Sequence, residues 1–203
     1  KLSSLAKLEF SPEESELEYV RDLFIIGSYC GGLRFGDWRQ AFHVQQQVRE
    51  DGQVVYFVES MSKKVGERKQ IPLHDIAYQL LKKYDFRFQE IADDDFNLKI
   101  KDVCARAGKI DESFNQEFVS YKKDLQTGEP VMVKIQRKGW VGARVPKFHE
   151  MIASHTARRS FATNMYYHRK IQAEIVMRMT GHAKLDDFLL YVQAPLQYQN
   201  HPA

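Results

Sequence analysis

Four residues near the C-terminal end of the chain carry side chains that could together act on a phosphate group. His155 and Arg158 stand three residues apart, and His182 and Tyr191 stand nine residues apart further along. A guanidinium grips two phosphate oxygens and stays protonated, an imidazole exchanges protons near neutral pH, and a phenol becomes a nucleophile once its proton is removed. These residue types are compatible with phosphoryl transfer. Taken alone, however, a His-x-x-Arg pair is more often an ordinary surface pair, and Tyr191 would be an ordinary tyrosine at the edge of the core.

Three predicted helices must position these side chains. Apolar periodicity predicts helices at about 154–168, 171–179 and 185–192, and Gly181 has the character of a helix C-cap. Residues three apart are neighbours on one helix face, so His155 and Arg158 are expected side by side. The last helix is expected to be anchored in apolar surface by the side chains that flank Tyr191, namely Phe188, Leu189 and Leu190.

A further arginine follows the end of an N-terminal helix. Ser11, Pro12 and Glu14 form a capping-box signature, and Gly31-Gly32 ends the apolar pattern. Arg34 comes directly afterwards, within GGLRFGDW, and Asp37 could orient its guanidinium through charge-assisted hydrogen bonds. The alternative interpretation is a helix-end salt bridge.

The middle of the chain changes from helical to strand periodicity. The segments around 42–50 and 53–60 flank Asp51-Gly52, a two-residue hairpin signal, and KQIPL reads as a third strand. Helical patterns return at HDIAYQLLKKY and DDFNLKIKDVCARAG, and a second hairpin is predicted around Thr127-Gly128. The sequence therefore predicts an α+β fold that is mainly helical, with a small three-stranded antiparallel sheet at about 42–73.

Charge is distributed unevenly along the chain. The formal net charge is only +3, but residues 130–173 hold nine lysine and arginine residues and a single acid, Glu150. A one-sided positive field of this kind suggests a polyanionic partner, and nucleic acid is the obvious candidate. A basic solubilising face is the alternative.

Composition restricts the class of protein. The 203 residues suit one domain with a sizeable core, and no run of eighteen apolar residues is present. Cys30 and Cys104 are far apart in apolar stretches, so we expect buried thiols in a reducing compartment and a cytoplasmic location. We recognise no cofactor motif and no carboxylate metal site. The chain begins with Lys1, from which we expect a fragment or a processed piece.

Five short motifs occur in an order that points to a known family. GGLRFGD, KKVGERKQIPL, HTARRSFATN, TGH and LLYV follow one another between about residue 10 and residue 193. In this the chain resembles the catalytic domain of the tyrosine recombinases, or phage integrases, and in detail the integrases of conjugative and mobilizable transposons. The nine-residue offset between His182 and Tyr191 makes the resemblance specific.

The resemblance implies a fold, a reaction and a set of roles. It implies the tyrosine-recombinase catalytic-domain fold over 1–203 as a single domain, without the N-terminal core-binding domain that closes around DNA. The resemblance implies that the catalytic residues are Arg34, His155, Arg158 and His182, and that the nucleophile is Tyr191. The protein would be a metal-independent recombinase that forms a 3′-phosphotyrosine intermediate. Its reaction would serve the integration and excision of a mobile element. Its partners would be double-stranded DNA, other protomers in a synaptic complex, and accessory DNA-bending or directionality proteins.

The resemblance places a catalytic lysine on the hairpin near KKVGE, between the second and third predicted strands, and two lysines there are candidates. Lys64 falls at the family position counted back from IPL, but Lys63 is adjacent, and Val65 follows where the family commonly has threonine. A type IB topoisomerase shares similar chemistry, and a DNA-binding regulator could keep the fold alone. A regulator has no need for all six candidate residues together, so the complete set favours the recombinase.

Overall fold

The architecture is that of a computed structural model, which describes residues 1–31, 35–37, 43–61, 68–118, 120–123, 130–133 and 146–192. Within these residues the helices are α1 (Leu2–Ala6), α2 (Ser15–Tyr29), α3 (Asp75–Lys83), α4 (Asp93–Ala107), α5 (Ser154–Thr163), α6 (Ala173–Thr180) and α7 (Leu185–Tyr191). The strands are β1 (His43–Val48), β2 (Val54–Met61), β3 (Arg68–Pro72), β4 (Ser120–Lys123) and β5 (Pro130–Val133). The mainly helical α+β prediction is confirmed.

The predicted three-stranded sheet is present, in the order β1-β2-β3 with antiparallel pairing. Gly52 adopts a positive φ of 81° at the turn, and the Asp51 carboxylate accepts a hydrogen bond of 2.9 Å from the Gln53 amide. Val58 pairs with Ile71, and both are buried against the helices. A second pair, β4 with β5, confirms the strands of the later hairpin, whereas its turn at Thr127-Gly128 lies outside the described residues.

Helix α2 is the central element of the fold. It packs against α3, α4 and α5, and its stripe of Val20, Phe24 and Ile25 is almost fully buried. A short 3-10 turn at Pro12–Glu14 precedes it, and the Glu14 carboxylate accepts from the Ser11 amide at 3.2 Å, as the capping box predicts. None of the helices described is both long and apolar enough to cross a membrane.

A buried charged cluster ties α2 to the end of α3. The fully buried Asp22 carboxylate accepts hydrogen bonds from Arg21 Nε at 2.7 Å, Lys83 Nζ at 2.8 Å and the Tyr84 hydroxyl at 2.7 Å. Several donors to one buried carboxylate offset the cost of removing its charge from water. The cluster therefore fixes the orientation of α2 relative to the end of α3.

The C-terminal end of α2 lies directly against α5. A Cβ atom added at Gly31 would stand 2.1 Å from Cβ of Phe161, so only glycine allows the chain to pass this close. Phe161 is one turn beyond Arg158 on α5. The contact therefore brings the segment after α2 to the helix that carries the His-x-x-Arg pair.

The hydrophobic core has a main part and a smaller satellite part. The main core is formed by the helices from α1 through α5 together with the three-stranded sheet. Both cysteines are buried in it, as expected. Burial raises the pKa of the Cys104 thiol to about 12 and raises that of Cys30 further. The satellite core holds four buried side chains under the C-terminal helices: Ala162, Val176, Phe188 and Val192.

The C-terminal helices match the predicted ranges, with one change of helix type. Beyond Thr163 the chain continues as a π-helix over Asn164–His168 instead of extending α5. The Arg169 amide closes this turn by donating to the Asn164 carbonyl at 2.9 Å, and Lys170 then leaves the helix with φ of 56°. A single π turn shifts the helix register, which apolar periodicity does not reveal.

Candidate active site

The first turn of α5 is held in place from two sides. The Thr156 hydroxyl accepts from the Ala153 amide at 3.0 Å, and the Asn97 side-chain oxygen on α4 accepts from the Ser154 amide at 2.8 Å. The first amides of a helix have no partner within the helix, so these two acceptors stabilise its start. The position of His155, which follows at once, is therefore fixed by both α5 and α4.

His155 and Arg158 lie on α5 as predicted but in different surroundings. The His155 side chain is exposed, whereas Arg158 is only 6% exposed, and its guanidinium donates to the backbone carbonyl of Thr180 at the end of α6. Burying an arginine requires partners for its N–H groups, and a carbonyl at a helix end provides one. Arg158 thus joins α5 to α6 beneath the site.

His182 follows the end of α6 in a fixed backbone conformation. Gly181 adopts the left-handed conformation with φ of 68°, and the amides of Gly181 and His182 both donate to the Met177 carbonyl, at 2.6 and 3.1 Å. This is the predicted glycine C-cap. The ring Nδ1 of His182 lies 2.7 Å from the Thr180 hydroxyl oxygen.

Tyr191 ends α7 between the two histidines. Its ring centroid lies 4.7 Å from that of His182 and 6.1 Å from that of His155, the latter in an edge-to-face arrangement. The nine-residue offset is spanned by a short connection after Gly181 and the two turns of α7. The structure therefore brings together four of the six residues that the sequence singled out: His155, Arg158, His182 and Tyr191.

The phenol of Tyr191 is directed into the protein. Its hydroxyl oxygen is buried and makes no hydrogen bond of ordinary geometry with any described residue. Burial raises the pKa of Tyr191, while the positive charges of Arg158 and Arg159 and the N–H groups of Arg158 oppose that rise. The phenol therefore stays protonated at neutral pH and needs a base to become a nucleophile.

Arg159 contacts Tyr191 twice, which the sequence did not indicate. Its Nε donates to the Tyr191 carbonyl at 3.2 Å, and its guanidinium carbon lies 5.6 Å from the centre of the Tyr191 ring. Because Arg159 is one residue beyond Arg158, helical spacing places it on another face of α5. The end of α7 lies close enough to α5 for this contact, and no periodic signal along the chain encodes that proximity.

The expected anchoring of α7 is only partly correct. Phe188 is fully buried and lies 5.6 Å from the Tyr166 ring, but Leu189 is 42% exposed. On a helix of about two turns, only the positions on the inner face reach the satellite core, and Leu189 lies one residue round from Phe188. The side chain of Leu190 is outside the described part of the chain.

Two predicted site residues lie outside the described residues. Arg34 falls within 32–34, and Lys64, with the alternative Lys63, falls within 62–67. The side chain of Asp37, the proposed orienting acid, is likewise not described. Their roles stay predictions from the sequence.

Comparison with solved structures identifies the fold. Over 97% of its length the chain matches a structure of XerH site-specific recombinase bound to difH substrate, with a TM-score of 0.54 and 18% sequence identity, and it spans 48% of that protein. A complex of the Tn1549 transposon integrase with transposon right end DNA matches over 93% of this chain and 62% of its own length, at 13% identity and a TM-score of 0.46. No family model and no curated protein matches the sequence.

The chain has the catalytic-domain fold of the tyrosine recombinases.

Proposed function

We propose that this chain is the catalytic domain of a site-specific DNA recombinase, with Tyr191 as its nucleophile. The observation that carries the proposal is the buried Tyr191 hydroxyl beside His155, His182 and Arg158. A phenol buried without a hydrogen bond of ordinary geometry to any described residue, next to imidazoles and guanidiniums, suits attack on a phosphodiester better than a packing role.

The proposed reaction exchanges one phosphate ester for another. The Tyr191 oxygen bonds to the scissile phosphorus, the bond to the 5′ oxygen breaks, and the phenolic proton passes to a histidine. Arg158 and Arg34 stabilise the charge that develops on the phosphate oxygens, and Lys64 gives a proton to the departing 5′ oxygen. Attack by that 5′ hydroxyl on the phosphotyrosine reverses the step, so rejoining needs no nucleotide cofactor.

The described elements support the assignment of Arg34 and Lys64. Arg34 follows Gly31 by three residues, which span at most about 11 Å, and Gly31 touches Phe161 on the helix of Arg158. Lys64 precedes β3 by four residues, and β3 contacts α6, the helix that ends beside His182. Gly31 and β3, which flank the two segments in the sequence, thus contact elements that bear the site.

The wider biological role forms part of the same proposal. We infer that the chain belongs to a longer cytoplasmic protein whose further domain closes around double-stranded DNA, with other protomers and accessory proteins in a synaptic complex. The motif resemblance to transposon integrases supports integration and excision of a mobile element, and the solved XerH complex with its difH substrate supports DNA as the partner. The positive charge of residues 130–173 supports the same partner.

Covalent capture tests the proposal. DNA duplexes that bind the full-length protein are selected and then nicked at successive positions. Cleavage next to a nick releases a short fragment, and the loss of this fragment prevents rejoining. The expected result is a labelled protein–DNA adduct that survives denaturing electrophoresis and forms equally well in EDTA, because guanidiniums supply the charge on the phosphate. Binding without any adduct at any nick position would contradict the proposal, and an adduct restored only by magnesium would contradict the metal-independent mechanism.

A bridging sulfur substitution tests the proposed role of Lys64. Lys64→Ala is expected to slow cleavage of ordinary DNA by about 100-fold or more, the usual contribution of a general acid. DNA with sulfur in place of the scissile 5′ oxygen should be cleaved by this variant at nearly the wild-type rate, because a thiolate leaves without a proton.

Lys63→Ala is the matched control, since it removes a neighbouring charge from the same segment. It should cleave both substrates at nearly wild-type rates. Selective rescue of Lys63→Ala would instead assign the general acid to Lys63, and equal defects of Lys64→Ala on both substrates would exclude proton transfer to the leaving group.

A further inference from the structure

We propose that Thr180 is a positioning residue that holds His182 in the tautomer with the proton on Nδ1, leaving Nε2 as the proton acceptor. The inference deepens the proposed function and rests on it for its catalytic meaning. Its structural part concerns only Thr180, His182 and α6, and is tested without DNA.

The side chain of Thr180 lies at the centre of a short hydrogen-bonded chain. It is fully buried, and its hydroxyl oxygen stands 2.8 Å from the Val176 carbonyl, 3.4 Å from the Met177 carbonyl and 2.7 Å from Nδ1 of His182. The bond to Val176 is the back-bond to the preceding turn that threonine commonly forms in helices. Burial keeps water from replacing any of these partners.

A hydroxyl has a single proton, and this decides the direction of the chain. A carbonyl can only accept, so when the Thr180 proton goes to Val176, the bond to His182 needs a proton on Nδ1. When His182 is fully protonated, Nδ1 must donate in any case. When Thr180 donates to the Val176 carbonyl, its oxygen can accept from Nδ1 of His182 whether the imidazole is neutral or protonated. The imidazole can therefore take and release a proton at Nε2 without any rotation of the Thr180 hydroxyl.

The backbone of Thr180 serves the site at the same time. Its carbonyl accepts from the Arg158 guanidinium, while its side chain binds the His182 ring. One buried residue thus connects the proposed phosphate-binding arginine with a proposed proton acceptor. Because the carbonyl belongs to the backbone, a side-chain substitution at position 180 removes the histidine contact and leaves the arginine contact in place.

Nitrogen NMR of the ring tests the tautomer directly. Protonated and unprotonated ring nitrogens have widely separated shifts, and the chain has seven histidines, so the His182 signals are assigned by their loss in His182→Asn. At mildly alkaline pH the wild-type chain should show a protonated Nδ1 and an unprotonated Nε2. Thr180→Val removes the acceptor and should move the proton to Nε2, whereas Thr180→Ser keeps the hydroxyl and should retain the wild-type pattern.

Cleavage kinetics connect the tautomer with the reaction. Thr180→Val is expected to cleave about 10- to 100-fold more slowly than wild type, by analogy with the loss of a group that orients a metal-binding histidine. Thr180→Ser should restore most of the rate, which a requirement for packing alone would not explain, because serine leaves a larger void than valine.

The outcomes separate this inference from the proposed function. A wild-type His182 with its proton on Nε2, or a Thr180→Val chain with an unchanged tautomer, overturns the role of Thr180 whatever the protein does to DNA. A Thr180→Val variant that cleaves at the wild-type rate overturns its importance for the reaction. If Thr180→Val does not fold, the wild-type spectrum and the Thr180→Ser rate still decide the question. Failure of wild type to form any adduct contradicts the proposed function and leaves the tautomer result standing.

Discussion

Tyr191→Phe is expected to bind DNA as wild type does and to form no covalent adduct at all. The substitution removes only the oxygen that would attack the phosphate, and the aromatic ring keeps its contacts with His155, His182 and Arg159. The measurement is denaturing electrophoresis of the full-length variant with the nicked duplex, alongside a binding assay on the same DNA.

The same variant gives a second, structural readout. In most buried tyrosines, removal of the hydroxyl loses a hydrogen bond and destabilises the fold, but this hydroxyl makes none of ordinary geometry with a described residue. Its removal should leave the free energy of unfolding unchanged or raise it by up to about 1 kcal/mol, because a buried polar atom without a partner is itself destabilising. A large loss of stability would show that the oxygen has a structural partner.

Mapping the adduct guards against a different nucleophile. Trypsin cuts after Lys184, and the peptide that begins at Leu185 contains both Tyr191 and Tyr198, so fragmentation within the peptide must locate the nucleotide. Tyr198→Phe is the matched control and should form the adduct normally. Tyr166→Phe is a second control, since Tyr166 packs against Phe188 in the satellite core. An adduct on any tyrosine other than Tyr191 contradicts the assignment.

Arg158→Lys is expected to reduce the rate of strand cleavage by about 100- to 1000-fold. Lysine keeps the positive charge but loses the planar fork that binds two phosphate oxygens, and losing one transition-state donor commonly has an effect of this size. Single-turnover cleavage of the nicked duplex gives the rate. Thermal unfolding of the variant shows whether a loss of fold contributes, since Arg158 also donates to the Thr180 carbonyl.

Arg178→Lys is the control for a general effect of arginine loss. Arg178 lies on α6 and is exposed, so the same change there should leave cleavage nearly unaffected. If Arg158→Lys cleaves at close to the wild-type rate, Arg158 does not belong to the phosphate-binding residues. If the cleavage rate falls equally in both variants, replacing arginine by lysine has a general effect on DNA binding.

Local signals in the sequence predicted most of the fold because they act over a few residues. Asp51-Gly52 marks the hairpin, since the turn needs a residue that tolerates positive φ, and Gly181 marks the end of α6 for the same reason. The offset between His182 and Tyr191 likewise predicted one site, because a short connection and a two-turn helix are local structures.

The contacts that sequence reasoning missed depend on how helices pack. Arg159 reaches Tyr191 because the end of α7 lies beside α5, and Arg158 reaches the Thr180 carbonyl because α6 also ends beside α5. Neither contact leaves a periodic pattern along the chain. The exposure of Leu189 has the same cause, since helical periodicity identifies an apolar stripe but does not determine how much of it a neighbouring helix covers.

The satellite core bears on the local stability of the nucleophile. Helix α7 is held by the burial of Phe188 and Val192, and each such side chain contributes about 1.5–3 kcal/mol, so its separate opening costs less free energy than global unfolding of the chain. Backbone amides of α7 are therefore expected to exchange with solvent through a local transition, whereas those of α2 and α4 in the main core are expected to exchange only when larger parts of the molecule open. Tyr191 is the last residue of α7, so we expect a local opening of this helix to change the exposure of the nucleophile while the rest of the domain stays folded.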